Sequence, residues 1–269
     1  MVQGKLAVII GSSRGIGETT AKMLAKNGAK VCLMGRTQKD LERVAQEINQ
    51  YSEADYMVVD IRKPESIKDA FIKYKNSGRK IDILVNNSGI YRENSDTHES
   101  FDGNIKINHE VVYNIINTNM LGYWWSTLCA KDLMNDDGSI IHISSVNGIT
   151  GKGGSDIYDM TKAGINNLTL NHARQFAARK IRVNAICPSS TITPMRDFAL
   201  QRYLKDASRE DFDKQEANTL PFKRLGKEKD IANTVLFLAS ANSSYMTGQI
   251  ISVDGGFLLK PTFFMEHDQ

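Results

Sequence analysis

Short apolar runs alternate with longer segments whose apolar residues recur at helical spacing, and this alternation limits the chain to few folds. Leu6 to Ile10, Lys30 to Met34, Tyr56 to Val59, Ile81 to Val85, Ser139 to Ile143, Ile181 to Ile186 and Gln249 to Val253 read as strands. Between them, helices are expected over Ile16 to Lys26, Leu41 to Ile48, from near Pro64, His109 to Met134, Ser155 to Ala178 and Glu228 to Ala239. The proline suits a first helical turn. Tyr91 to Asn108 is polar and reads as a surface loop, and Pro194 to Arg224 as a polar segment with mixed helical signals. Strands joined by helices need crossover connections, which are right-handed and leave the strands parallel. Near-continuous apolar strands imply that helices cover both faces. The expectation is a doubly wound α/β fold with a seven-stranded parallel sheet.

No Gly/Ser-rich or proline-rich linker divides the chain, so the 269 residues read as one domain, with residues 194–226 as a lid and 257–269 as a C-terminal tail. A formal net charge of +3, with cations and acids interspersed, shows no basic stripe for nucleic acid. The apolar runs are too short for a membrane span, and the start lacks a signal-peptide pattern. Cys32, Cys129 and Cys187 are odd in number and far apart, which suggests neither a disulfide framework nor a metal site but a reducing cytoplasm. The histidines form no ligand pair. Asn167-Leu168-Thr169 matches a glycosylation acceptor by chance in such a compartment. His142 and the Trp124-Trp125 pair read as structural.

The first strand runs into Gly11-Ser12-Ser13-Arg14-Gly15-Ile16-Gly17 at the start of a helix. Glycines let the backbone turn sharply and let a pyrophosphate approach free N–H groups at the helix start, the geometry of a Rossmann-type dinucleotide site. An acid after the second strand would hold an NAD ribose, whereas arginine accommodates a 2′-phosphate. Here the strand ends Met34-Gly35-Arg36-Thr37. Arg14 and Arg36 converging without a carboxylate favour NADP, because guanidinium binds phosphate bidentately.

Tyr158 and Lys162 stand four apart at the start of a helix, on one face. A phenol ordinarily ionises near pH 10. A neighbouring ammonium is expected to lower that value, leaving Tyr158 able to exchange a proton with a carbonyl or alcohol oxygen.

With these motifs the chain resembles the classical short-chain dehydrogenase/reductase family, in particular its 3-oxoacyl-(acyl-carrier-protein)-reductase-like members, from Lys5 to Gly256. The three-residue gap between Gly11 and Gly15 is the family's, with Ile10 where the family usually has Thr. The resemblance implies Asp60, with Ile61, as the adenine contact, and Asn86-Asn87-Ser88-Gly89 as the family's N-N-A-G turn with Ser88 replacing Ala. It implies Ser145 as the catalytic serine, which would hydrogen-bond the substrate oxygen, and Asn119 as the helix-kinking asparagine that supports a water relay to Lys162. Pro188, Thr191 and Thr193 fall in the family's P-G-x-[IV]-x-T segment, with Ser189 replacing the glycine and Thr191 the aliphatic residue. Lys223-Arg224-Leu225-Gly226 and Asp254-Gly255-Gly256 are further family landmarks.

What the resemblance implies is hydride transfer between NADP(H) and a small-molecule carbonyl or secondary alcohol, in a homodimer or homotetramer built on the long helices. An NAD-preferring dehydrogenase, a dehydratase or epimerase using nicotinamide transiently, and a non-catalytic NADP sensor are the alternatives. Substrate contacts are expected from Val146 to Asp156, Tyr91 to Asn108 and Thr191 to Asn218. The last of these carries the apolar set Met195, Phe198, Leu200, Tyr203 and Leu204, spaced either to cover a substrate or to pack on the body.

Overall fold

The computed structural model describes residues 2–92, 97–101, 104–151, 154–201 and 208–259. Seven parallel strands form one sheet: β1 (Leu6–Ile10), β2 (Lys30–Gly35), β3 (Ala54–Val58), β4 (Ile81–Asn86), β7 (Met134–Ile143), β8 (Arg182–Pro188) and β11 (Ile250–Val253). Their order is β11-β8-β7-β4-β1-β2-β3. Winding proceeds outward from β1 through β2 to β3, then restarts at β4 on the other side of β1. The carboxyl ends of β1 and β4 therefore flank a switch point, where crossovers diverge and leave a crevice.

Alternation along the strands feeds two cores. Leu6, Val8 and Ile10 of β1 point to one side, where they pack with Ile67 and Phe71 of α3 (Pro64–Asn76), Tyr123 and Ala130 of α5 (Gly122–Ala130), and Ile165 and Phe176 of α7 (Asp156–Phe176). Ala7 and Ile9 point to the other, against Leu24 of α1 (Gly15–Lys26), Leu41 and Val44 of α2 (Gln38–Ile48) and Ile231 and Val235 of α10 (Glu228–Ala239). A period of two on each strand, met by helical stripes on both faces, is what a three-layer α/β/α arrangement requires.

Three expectations change, and the helical signals of the lid segment are met. The helix over His109 to Met134 is broken into α4 (His109–Ile116), a π-helical turn Asn117–Leu121 and α5, which ends at Ala130. Met134 instead opens β7, five residues ahead of the expected Ser139. Its early part is polar, and Asp137 turns through positive φ, which masks the strand in the sequence. The segment Tyr91 to Asn108 is not all loop: β5 (His98–Phe101) and β6 (Asn104–Ile107) pair as an antiparallel hairpin. In the lid segment, α8 (Pro194–Leu200) and α9 (Arg209–Asn218) form, and the short strands β9 (Thr191–Ile192) and β10 (Gly226–Lys227) pair in parallel. Tyr203 and Leu204 lie outside the described residues.

The turn after β1 is locked to the turn after β4. Asn87 N–H donates to Ile10 O at 3.0 Å, and Asn87 Nδ2 to Gly11 O at 2.8 Å. Gly11 has φ +83, and a Cβ there would lie 2.7 Å from Ser88 N. At Gly17, inside α1, a Cβ would strike Gly11 O and come within 2.6 Å of Asn87 Nδ2. Backbone cannot yield at that crossing without moving β1, β4 and α1 together. Gly17→Ala is therefore expected to cost about 1–3 kcal/mol, read as a lowered midpoint in urea unfolding. A midpoint equal to that of the parent chain would show that this crossing is loose.

Candidate active site

The sheet's carboxyl edge gathers the sequence-predicted cofactor residues around the switch point. α1 starts at Gly15, and its N-cap residue Arg14 has extended backbone and makes no side-chain cap. The first-turn N–H groups are thus left to be satisfied from outside the helix, where the positive end of the dipole favours an anion. Gly15 has φ +65, and the nearest atoms to a Cβ there would be Pro194 Cδ at 3.6 Å and Glu228 Oε1 at 3.7 Å. A backbone cradle with an uncapped helix start fits a dinucleotide pyrophosphate. Ser13 stands beside Gly35 at the end of β2. Arg14, Arg36 and Thr37 are exposed, and neither arginine pairs with a carboxylate among the described residues.

On the far side of β2, Asp60 lies just beyond β3 and is gripped by Arg62, with Nη2 to Oδ2 at 2.7 Å and Nε to Oδ1 at 2.9 Å. That guanidinium holds the carboxyl below its usual range. Ile61 is buried and packs on Gly122 at the start of α5. Pro188 ends β8, its carbonyl accepting from Val146 N at 3.1 Å. Thr191 Oγ1 donates to Ser189 O at 2.9 Å, and Thr193 caps α8 by accepting from Arg196 N at 3.3 Å.

Ser145, Tyr158, Lys162 and Asn119 come together from β7, α7 and the π turn. Ser145 follows β7, and its side chain acts on the Tyr158 phenol, favouring its ionised form. Its Oγ also accepts from Asn147 N at 3.2 Å. The start of α7 is fixed by Asp159, which accepts from Asn147 Nδ2 at 2.8 Å and Ser155 Oγ at 2.9 Å. Lys162 Nζ donates to Ile143 O at 2.8 Å and lies 5.7 Å from the centre of the Tyr158 ring. Asn119 is buried, donating to Ile90 O and accepting from Ile90 N, both at 2.8 Å. Its Oδ1 and Lys162 Nζ both stand near Gly89, each 3.8 Å from where a Cβ would be.

Electrostatics here depart from the sequence-level expectation. Burial pushes the Tyr158 phenol well above its ordinary value, and the Ser145 side chain offsets only part of this. Lys162 does not bring it down. Instead, burial lowers the lysine's own pKa to about 8. Two groups sharing one desolvated position each drift toward neutrality, because low dielectric penalises either charge.

The lid residues divide. Met195 Cε approaches within 3.4 Å of a Cβ position on Gly89, so the first turn of α8 spans from Gly15 to Gly89 across the crevice. Leu200 packs into the body, while Phe198 is half exposed beneath the Arg92 guanidinium, 4.5 Å from its ring centre. Arg196 secures the lid through Asp213 at 2.7 Å and Glu216 at 2.5 Å.

Sequence reasoning missed Tyr91, whose ring meets that of Tyr158 edge-on at 5.1 Å, and Tyr123, whose hydroxyl lies 2.9 Å from Ser88 O and 3.0 Å from Ile143 O. Tyr123 stands one helical turn past Asn119, a spacing that would have placed it on the same face. His142 is fully buried and Trp125 packs on the core, while Trp124 is exposed. Among the described residues, no cluster of three His, Cys, Asp or Glu side chains is placed to hold a metal, and no helix is long and apolar enough to cross a membrane.

A family model described as enoyl-(acyl carrier protein) reductase matches residues 10–258. The chain is 33% identical over 262 residues to the 3-oxoacyl-[acyl-carrier-protein] reductase FabG of Thermotoga maritima, covering 96% of this chain and 99% of that protein. It is 34% identical over 266 residues to oxidoreductase UcpA of Escherichia coli, covering 96% of each. Among solved structures, a short-chain dehydrogenase/reductase from Serratia marcescens superposes with a TM-score of 0.82 at 29% identity, covering 95% of this chain and 98% of that one. A blue fluorescent protein from a metagenomic library, in complex with NADPH, gives 0.82 at 26%, covering 96% and 99%. The chain belongs to the short-chain dehydrogenase/reductase family of oxidoreductases.

The lysine at the centre of this site opposes folding. Its folded pKa of about 8 lies below that of the unfolded chain, so the charged form costs stability at neutral pH. The cost falls as pH rises from about 8 to the unfolded value, where both states are neutral. Lys162→Met should therefore stabilise the protein at pH 7 by about 1–3 kcal/mol, with the gain shrinking above pH 8. Urea unfolding across that range tests the sign, and a variant less stable at pH 7 would contradict it.

Proposed function

We propose that the protein is an NADP-dependent carbonyl reductase, interconverting a ketone or β-ketoacyl group and a secondary alcohol, with Tyr158 as the acid/base. The observation that carries this reading is a phenol on which the Ser145 side chain acts, set beside a buried ammonium 5.7 Å from its ring centre. A neutral phenol is the form that can donate. When bound, nicotinamide supplies or accepts the hydride at the carbonyl carbon. In the reductive direction Tyr158 gives its phenolic proton to the carbonyl oxygen, while the Ser145 hydroxyl donates to the same oxygen as charge develops on it. The ammonium of Lys162 then favours the phenolate left behind. Asn119, at the π turn, holds the Ile90 backbone and supports the route by which water returns the proton.

Arg14 and Arg36 are the residues that would take a 2′-phosphate, and the absence of a salt-bridged acid on either among the described residues supports NADP over NAD. Gly11, Ser13, Gly15, Ile16 and Gly17 would line the pyrophosphate, Asp60 and Ile61 the adenine, and Asn87, Ser88, Gly89, Pro188, Thr191 and Thr193 the nicotinamide half. The similarity to proteins named as 3-oxoacyl-[acyl-carrier-protein] reductases supports a β-ketoacyl substrate, and the NADPH in a structural neighbour supports the cofactor. Exposed Trp124 on α5, with Met160 and Leu170 on α7, supports a homodimer or homotetramer through these helices, in the cytoplasm. Light scattering that returned only monomer would remove that assembly.

Fluorescence titration should show tighter binding of NADPH than of NADH, and Arg36→Asp should reverse the order. Tyr158→Phe should lower kcat on ketones or β-ketoacyl thioesters at least 100-fold while leaving NADPH affinity within a few-fold. Turnover retained in Tyr158→Phe would overturn the catalytic assignment, and an unchanged cofactor preference in Arg36→Asp would overturn the NADP reading.

A further inference from the structure

Lys162 lies near two aromatic rings. Its ammonium is 5.7 Å from the centre of the Tyr158 ring and 5.5 Å from that of Tyr123. Tyr123 comes from α5, an element that otherwise contributes nothing to the proposed chemistry, and its side chain is fully buried. Its hydroxyl lies within hydrogen-bond distance of two carbonyls, Ser88 O in the turn after β4 and Ile143 O at the end of β7. Ile143 O is also the acceptor of Lys162 Nζ. One hydroxyl proton can be given to only one of these two carbonyls at a time.

We infer that Tyr123 is a positioning residue for Lys162: its ring face stabilises the buried ammonium that the Tyr158 ring also approaches. The argument rests on geometry and on what else surrounds the lysine. Facing Lys162 are Tyr158 from its own helix, Tyr123 from α5, His142 from β7 and Cys187 from β8. His142 is buried and held neutral, its pKa pulled to about 3, and burial pushes the Cys187 thiol up. No carboxylate faces the ammonium among the described residues that act on it. The charge is therefore held by a carbonyl dipole and two ring quadrupoles. A desolvated cation over an aromatic face is the situation in which that attraction is largest.

The inference presupposes that Lys162 acts as the proposed function has it, but its test does not need turnover. The pKa of Lys162 can be read by NMR of lysine labelled at Cε, with Lys162→Met identifying the resonance by its loss. In Tyr123→Leu, which removes the ring, the Lys162 midpoint should fall by roughly one pH unit. In Tyr123→Phe, which keeps the ring, it should stay within about 0.3 unit of the parent. Tyr123→Met, closer in volume, carries the same expectation as the leucine variant if the latter does not fold. A midpoint unmoved in Tyr123→Leu or Tyr123→Met would overturn the inference, as would an equal fall in Tyr123→Phe. Failure of Tyr158→Phe to lose activity would instead strike the proposed chemistry and leave this titration interpretable.

Discussion

The buried ammonium of Lys162 organises the centre of this molecule. Both ends of that residue are tied to the end of β7: its Nζ donates to Ile143 O, and its carbonyl accepts from Ser144 Oγ at 3.0 Å. Helix α7 is thereby docked at one position along its length, and neighbouring elements close on it there. A Cβ at Gly148 would meet the Lys162 carbonyl carbon at 2.5 Å, and one at Gly164 would meet Met120 Sδ at 2.5 Å. The first glycine lets the short helix Asn147–Thr150 press on α7, and the second lets the π turn do so. Asn119 Nδ2 in turn lies 3.4 Å from Thr161 Oγ1, next to Lys162. A charge that burial disfavours has thus become the point to which three segments are fitted, and local stability is given up there for geometry.

The parts of this arrangement that were legible in the sequence are those set by short-range patterns. A strand running into a glycine-rich helix start, and a tyrosine and lysine one turn apart, declare themselves within a few residues. The break at Asn117–Leu121 showed only through the resemblance, which marks Asn119 as a helix-kinking residue, because apolar spacing runs through His109 to Ala130 without interruption. The early start of β7 was hidden by Asn135-Asp136-Asp137-Gly138, polar residues at a register shift against β4. The direction of the Tyr158 shift was out of reach for a different reason. Sequence shows that a cation is four residues away, but only packing shows that Lys162 is buried and Tyr158 partly so, and for both groups desolvation is the largest cause of the shift.

Behind the site the interior stays polar. Asn86, the last residue of β4, lies 3.1 Å from His142 Nδ1 and donates to Thr127 Oγ1 at 3.2 Å. His142 and His172 stand 5.8 Å apart, with burial holding their pKa values near 3 and 4. Neutral imidazoles add dipoles without adding charge, so this layer does not compete with Lys162 for the Ile143 carbonyl, nor does it bring a carboxylate that would draw the ammonium away from Tyr158. An ionised Asp or Glu in place of either histidine would instead attract the ammonium toward this layer.

At the cofactor end the electrostatic logic is reversed, because there the useful charges are the unpaired ones. Glu18 in the first turn of α1 would repel an incoming phosphate, yet Lys22 and Arg43 both pair with it, at 2.6 and 2.7 Å. Arg62 is committed to Asp60, and Arg196 and Arg209 to acids of the lid. Around the glycine turn this leaves Arg14 and Arg36 as cations without a salt bridge among the described residues, Arg36 acting on Asp60 only at a distance. Pairing removes most of a cation's attraction for a further anion, so the selectivity of this surface depends on which arginines the protein has left without an acid rather than on how many it carries.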